Sequence, residues 1–506
     1  MDAFNVKPAK IKTKLVTKLT PAPVASRPAK PPPTNRFNLT PAPAKARASP
    51  SVRYPEKGSR NTLSVSSVQR KRKVTPSTPQ WADSDSDEAS DDELAERKRQ
   101  KTSSSIEPTS LNRCLEPDSK RRIRMYDKDG SMVDQSAGKG AAVQRGVEPA
   151  RLVPGLELTQ GEWAKDYKPA FPDASSESGF VVELQYPSPA RPERFETIIY
   201  HSKTDNTNYN PLDDIYFSIE EIIQHYLPQS LIEAHKLSDE ADGIVRLLKR
   251  AVTKNSPSDF RTTLTQFNAM IKDNMDDVSR AIDDMRAVPL SLVKRITAQV
   301  YQRTVSYRAH LLRQVKGKST TYGELLPNFV HTIFQQTGLN SQSVFVDLGS
   351  GVGNVVLQSA LQTGAESWGI EIMNKPAEYA LDQASELRAR ARLWNISLGP
   401  ITLLHGDFTN APAIDAALRR ADVVLVNNKV FPQTLNEKLL DKFLDLKDGA
   451  KVVSLESFAS GAGVWNKNAI ANSIFTEQRF DSGTGSVSWA DVSVEYFIAT
   501  KRGFGT

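Results

Sequence analysis

Val346-Asp347-Leu348-Gly349-Ser350-Gly351-Val352-Gly353-Asn354 is the stretch that decides the fold. A short apolar run, SVFVD, leads into it and a segment of helical length follows, so the glycines stand where a strand passes into a helix. Glycines at that place let the backbone turn sharply and approach a ligand closely, while Asp347 sets an acceptor near the strand end. Such a loop serves a dinucleotide as readily as other ligands. Here the pattern is GSGVGN with Asp two residues before the first Gly, which suits the ammonium and carboxylate of a methionine-type ligand better than a pyrophosphate.

Outward from the loop, short β-branched runs alternate with helix-length segments after residue 341. ESWGIE, ITLLHGD, DVVLVN and KVVSLES follow as candidate strands, and SVSWADVSVEYFIAT closes the chain as a candidate hairpin. Alternation on this scale predicts a mostly parallel sheet covered on both faces, with ligands beyond the carboxyl ends of the strands where the strand order switches. Glu371 closes the second strand, 24 residues after Asp347, where a carboxylate can accept both hydroxyls of a ribose. Asp407-Phe408 closes the third, where the carboxylate can accept from an adenine amino group and the ring can stack on the purine. Asn427-Asn428 closes the fourth. A strand-end Asp or Asn can also simply cap the next helix. Four such signals in register predict a class I methyltransferase core, seven-stranded and Rossmann-like, that uses S-adenosylmethionine.

Upstream, residues 213–335 carry apolar residues at three- and four-residue intervals in DDIYFSIEEIIQHYL, DEADGIVRLLKRAV and SLVKRITAQVYQRTVSYRAHLLRQV. The expected organisation is a tail over 1–150, a helical N-terminal part of the catalytic domain over 180–340, and the cofactor-binding core over 341–504. Order is expected to begin at 150–190, where Trp163, Tyr167, Phe171 and Phe180 appear beside strand-like FVVELQY.

The tail is rich in Pro, Ala, Ser, Lys and Arg and too poor in large apolar residues to offset chain entropy, so disorder is expected there. Charge is very uneven: residues 1–80 hold 17 Lys and Arg against 2 Asp and Glu, whereas 151–506 hold 37 against 42. A basic arm on a mildly acidic body suits a polyanion partner, since Lys and Arg that neutralise phosphates release condensed counterions. Clusters at Arg70-Lys71-Arg72-Lys73, Arg97-Lys98-Arg99 with Lys101, and Lys120-Arg121-Arg122 with Arg124 are candidate import signals or DNA contacts. The single cysteine, Cys114, excludes an internal disulfide, and no Cys/His spacing suits a zinc site. With no uninterrupted apolar run long enough to span a bilayer and no apolar secretory leader, a soluble intracellular protein is expected, with no metal and no membrane partner.

Tyr322-Gly323-Glu324-Leu325, then FVDLGSGVGN, GIE, GDF, VNNKVF and GSVSW, resemble the non-SET histone H3 lysine methyltransferases named for disruption of telomeric silencing, in their fungal form. The likeness runs from about residue 180 to 500 and is tightest over 320–430. It implies transfer of up to three methyl groups to lysine 79 of histone H3 on nucleosomes, in the nucleus, by a monomer. It further implies contact with the other core histones, stimulation by ubiquitinated H2B, and roles in telomeric silencing, transcription regulation and DNA-damage and meiotic checkpoint control. Carried over by residue, Tyr322, Gly323, Glu324 and Leu325 would form a loop over the methionine end of the cofactor. Phe345 to Asn354, Glu371, Asp407 and Phe408 would line the rest. Asn427 would sit beside the methyl-transfer point and Phe431 near the lysine channel. The family often has paired tyrosines where this chain reads Tyr496-Phe497, and a Lys in the stretch Ser454-Leu455-Glu456-Ser457.

A protonated lysine cannot attack, so the site must deliver a neutral amine in line with the sulfonium methyl. Aromatic walls favour the neutral form, and Phe431, Trp489, Tyr496 and Phe497 are the candidates, against the alternative of ordinary core packing. No dedicated general base is assigned, and His405, inside a strand, reads as a core residue. Two rivals stand beside this reading: a class I methyltransferase acting on RNA, and a non-catalytic chromatin scaffold.

Overall fold

The computed structural model describes residues 113–127, 130–132, 150–172, 179–201, 209–312, 323–458 and 474–503, all within the unit that begins at Lys73. The arm, its first two basic clusters and Tyr322 lie outside the described residues.

Two short ribbons open the front half. β1 (Tyr167–Pro169) pairs antiparallel with β4 (Ile198–Tyr200), and β2 (Val181–Leu184) with β3 (Glu193–Glu196). Along β2, Val182 and Leu184 are buried and alternate with exposed Val181 and Glu183, the period-two pattern of a strand with one wet face. Among the described residues seven α-helices follow: α1 (Pro211–Tyr226), α2 (Gln229–Ala234), α3 (Ile244–Thr253), α4 (Pro257–Asp273), α5 (Met275–Asp284), α6 (Leu290–Thr304) and α7 (Ala309–Leu312). α1 starts where its sequence says it should: Asn210 accepts from the Leu212 amide, Pro211 fills the first turn, and Asp213 and Asp214 face the positive helix end.

Two expected helices are shorter than their periodicity suggests. Asp239 to Gly243 form a turn before α3, because the Asp239 carboxylate takes the Ala241 and Asp242 amides at 2.8 and 2.9 Å. The long run from Ser291 breaks at Val305, where Arg308 Nε donates to the Thr304 carbonyl at 3.1 Å. That carbonyl would otherwise receive the Arg308 amide, which turns instead to Val305.

The back half alternates as read: α8 (Pro327–Thr337), β5 (Val344–Leu348), α9 (Asn354–Gln362), β6 (Glu366–Glu371), α10 (Asn374–Leu393), β7 (Ile401–His405), α11 (Pro412–Leu418), β8 (Val423–Val426), α12 (Gln433–Phe443), β9 (Lys451–Ser454), β10 (Phe475–Asp481) and β11 (Glu495–Lys501). These strands form a seven-stranded sheet in the order β10-β11-β9-β8-β5-β6-β7, parallel through β5 to β9, with β11 inserted antiparallel. That is the class I methyltransferase order. The chain runs outward from β5 through β6 to β7 and then returns to β8, so the crevice falls beyond the ends of β5 and β8. β5 is buried along its whole length, as a central parallel strand covered by helices must be.

The C-terminal hairpin differs from expectation. β11 pairs with β10, and residues 482–494 between them make an excursion in which Val487 bridges Leu325. The third basic cluster is corrected too, because residues 113–127 pack against the fold instead of belonging to a tail. Leu115, Ile123 and Met125 are buried, and Arg124 pairs with Asp283 at 2.7 Å. Arg121 donates to the carbonyls of Gln362, Leu361 and Ser397 at 2.5, 2.6 and 3.1 Å, setting its charge on the negative end of α9. Of that cluster only Lys120 and Arg122 are exposed. No helix of the described residues is long and apolar enough to cross a membrane.

Candidate cofactor and methyl-transfer site

The glycine loop is held from three sides. Gly349, Gly351 and Gly353 have φ of 90°, 55° and 85°, which a side chain would strain. The Gly349 and Ser350 amides donate to the Ile370 carbonyl at 2.9 and 3.0 Å, and the Gly351 amide donates to Glu371 Oε2 at 2.9 Å, so β6 pulls the loop down. From α10, Gln383 Nε2 donates to the Val352 carbonyl at 2.5 Å and to Asn354 Oδ1 at 2.9 Å. From α6, the Tyr301 ring packs in one cluster with Val352 and Tyr379. Asn354 Nδ2 is buried and has no partner among the described residues, a donor waiting beside the N-terminus of α9.

Two carboxylates flank the loop. Burial and then the neighbouring Glu371 charge push the Asp347 carboxyl up to about 8. Burial also raises Glu371, although the Met373 and Gly351 amides donate to it at 2.7 and 2.9 Å. Beyond β7, Asp407 caps the following turn by accepting from Thr409 N at 2.8 Å, and its carboxylate is exposed. Phe408 is buried, with its ring centroid 6.2 Å from that of Phe431 at an interplanar angle of 28°. Phe431 itself leans over the loop, its Cζ 3.8 Å from where a Cβ on Gly349 would stand.

The asparagine pair divides its work. Asn428 is buried, accepts from the Leu455 and Glu456 amides at 3.0 and 2.8 Å, and donates to the Glu456 carbonyl at 3.1 Å, tying β8 to β9. Asn427 is half-buried at the strand end, and its side chain has no hydrogen-bond partner among the described residues.

Gly323, Glu324 and Leu325 are stitched to the excursion before β11. Glu324 N donates to Ser488 Oγ, Ser488 N to the Glu324 carbonyl and Leu326 N to the Ser486 carbonyl, each at 2.9 Å. A Cβ on Gly323 would stand 2.4 Å from the Trp489 ring, so only glycine lets these segments meet. Glu324 is buried and accepts from the Tyr301 hydroxyl at 3.1 Å, which joins this segment to the cluster behind the glycine loop.

Several expected site residues are placed elsewhere. Tyr496 is fully buried: its hydroxyl donates to Gln336 at 2.7 Å, its ring stacks on Phe480, and Phe329 meets it edge-on, so it belongs to the core and lines no channel. Phe345, Val346 and Leu348 are fully buried and can face a ligand only through the backbone. His405 is exposed instead of buried in a core, with Nε2 3.2 Å from the Ile372 carbonyl. Gln383 and Tyr301 carried no signal in the sequence, since each acts on residues tens of positions away. No group of three metal-ligating side chains occurs among the described residues.

The pattern that defines the family described as "Histone methylation protein DOT1" matches residues 301–501. The chain is 37% identical over 495 residues to a histone-lysine N-methyltransferase, H3 lysine-79 specific, of Aspergillus fumigatus, covering 94% of this chain and 92% of that protein. Proteins of the same description are 42% identical over 356 residues in Emericella nidulans, covering 69% and 70%, and 38% identical over 297 residues in Yarrowia lipolytica, covering 58% and 60%.

Proposed function

Since the chain belongs to the DOT1 family of histone methylation proteins, we propose that it transfers methyl groups from S-adenosylmethionine to lysine 79 of histone H3, presented on the nucleosome. The observation that carries this reading is the orphaned Asn354 Nδ2 beside a glycine loop flanked by the buried carboxylates Asp347 and Glu371. A donor and two acceptors around a close-approach loop fit a ligand that carries a carboxylate, an ammonium and a ribose. When bound, S-adenosylmethionine supplies an electrophilic methyl group on sulfur.

The chain's own residues do the rest. Asn354 and the start of α9 receive the carboxylate, Asp347 the ammonium and Glu371 the ribose hydroxyls. Phe408 packs on the adenine and Asp407 accepts its amino group. Asn427, uncommitted at the end of β8, faces the transfer point, with Phe431 as its wall. Apolar walls favour the neutral amine of the substrate lysine, and its proton leaves to water. Up to three successive transfers, stimulation by ubiquitinated H2B, contact with nucleosomal DNA through the arm, and nuclear action in silencing, transcription and checkpoint control belong to the same reading.

Incubating the protein with tritiated cofactor and, separately, free histones, nucleosomes and RNA tests it. Label in H3 from nucleosomes supports the reading. Label in RNA alone would transfer the protein to the RNA-modifying class, and no label with intact cofactor binding would leave a scaffold.

A further inference from the structure

Between Asn427 and Phe431 the chain makes a tight turn, closed by the Phe431 amide donating to the Asn428 carbonyl at 3.1 Å. Phe431 folds back over Gly349, which leaves Lys429 and Val430 at the outer apex, both exposed. Facing this apex is Glu456, just past β9. Its backbone is fixed through two bonds to Asn428, with a third from the preceding Leu455 amide, while its carboxylate reaches out to Lys429 Nζ at 2.5 Å. Asn428 accepts from Leu455 and Glu456 and donates to the Glu456 carbonyl, so the rim that carries Asn427 is bonded directly to the rim that carries Glu456. The next carboxylate along, Glu477, is committed to Ser457 and the Phe458 amide.

The Lys429–Glu456 pair is about half exposed on both sides, 48% and 46%. An ion pair so placed is worth at most about 1 kcal/mol, too little to matter for the fold and little enough to be exchanged for another ammonium. A lysine side chain resting on a carboxylate one residue beyond Asn427 and its clamp is also the chemistry of the proposed substrate.

From this placement we infer that Glu456 receives the incoming substrate ammonium at the entrance of the site, and that Lys429 occupies it in the free protein as an intramolecular stand-in. This rests on the methyltransferase reading above. Glu456 holds the lysine in its charged form outside the apolar walls, and Lys429 sets the threshold that a substrate must overcome. Both are positioning residues, since neither reaches the transferring methyl.

The test is steady-state methyl transfer to nucleosomes by the parent protein, Glu456→Gln, Lys429→Gln and the double variant, with S-adenosylhomocysteine affinity measured on each. Glu456→Gln should raise KM for the nucleosome about threefold to fivefold with kcat little changed, the size expected for a half-exposed charge contact. Lys429→Gln should lower KM by a similar factor. In the double variant the gain from losing Lys429 should vanish, because its partner is gone. Unchanged cofactor affinity throughout separates these effects from damage to the glycine loop. A rise in KM for Lys429→Gln, which would make that lysine itself a contact to substrate or to DNA phosphate, overturns the inference, as does an unchanged KM for Glu456→Gln. Absence of transfer by the parent protein instead overturns the underlying reading.

Discussion

Asp347 carries its proton at neutral pH in the free protein, because burial and then the neighbouring Glu371 raise its carboxyl to about 8. A folded pKa above the unfolded one means that stability is complete below the ordinary carboxylate range and declines as pH rises through about 8. A ligand ammonium placed against this carboxyl favours its ionised form. S-adenosylhomocysteine affinity should therefore increase from pH 6 to about 8 and then level, with proton release on binding. Calorimetry in buffers of different ionisation enthalpy reads both, and Asp347→Asn should bind weakly with no such dependence. A flat profile in the parent protein would separate Asp347 from the ligand. The asparagine pair gives a second contrast at this scale. Asn428 holds Leu455 and Glu456 through buried bonds, so Asn428→Ala should lower stability by roughly 1–3 kcal/mol in chemical denaturation. Asn427→Ala should leave stability alone and reduce turnover while sparing cofactor affinity. Reversed outcomes would exchange their roles.

Among the elements, the segment 113–127 has the clearest consequence. It joins α5 through Arg124 and Asp283, the end of α9 through Arg121, and the turn before β5 through Asp118, which accepts from Ser341 N at 2.9 Å. Deleting residues 1–112 should leave the melting temperature and S-adenosylhomocysteine affinity unchanged. Extending the deletion through residue 127 should lower the melting temperature, because it removes buried Leu115, Ile123 and Met125 and strips α9 of its C-terminal cation. Equal melting for the two truncations would contradict this. The strap also shows where sequence reading stops. The turn at GSGVGN, the strand-end place of Glu371 and the strand alternation are legible because spacing along the chain alone determines them. Arg121 looked like one member of a basic cluster because its partners lie some 240 residues away. The same holds for Gln383 and Tyr301, and for Tyr496, whose aromatic character fits a channel wall as well as the core it occupies. Periodicity likewise ran α6 past Thr304, since nothing in the local pattern shows that the Arg308 side chain will take that carbonyl.

Across the whole molecule, a buried ionic network ties the front half to the back. Arg303 of α6 pairs with Glu193 of β3 at 2.8 Å and with Asp214 of α1 at 2.5 Å; Arg390 of α10 joins Glu193 and, at 2.7 Å, Glu386. Arg295 brings the network's third guanidinium, the second on Asp214. Burial alone would raise the Glu193 carboxyl, but Arg390 and Arg303 hold it at about 2. A depressed folded pKa means stability present above the ordinary carboxylate range and lost as pH falls towards about 2. Acid unfolding should therefore steepen in that window, and Glu193→Ala should cost about 3–5 kcal/mol at neutral pH by leaving three buried guanidinium groups to share the two carboxylates Asp214 and Glu386. Denaturant titration at several pH values checks both, and a variant as stable as the parent would mean that the network is dispensable. Since α6 and α10 also brace the glycine loop through Tyr301 and Gln383, the same network fixes the site's frame. Whether that frame moves a methyl group to its proposed target is read most directly by peptide mass mapping of histone H3 from nucleosomes incubated with S-adenosylmethionine and either the parent protein or Asn427→Ala. The account predicts methylation at lysine 79 of H3 with the parent and little or none with the variant. Methylation at another position, or equal methylation by both proteins, would contradict it.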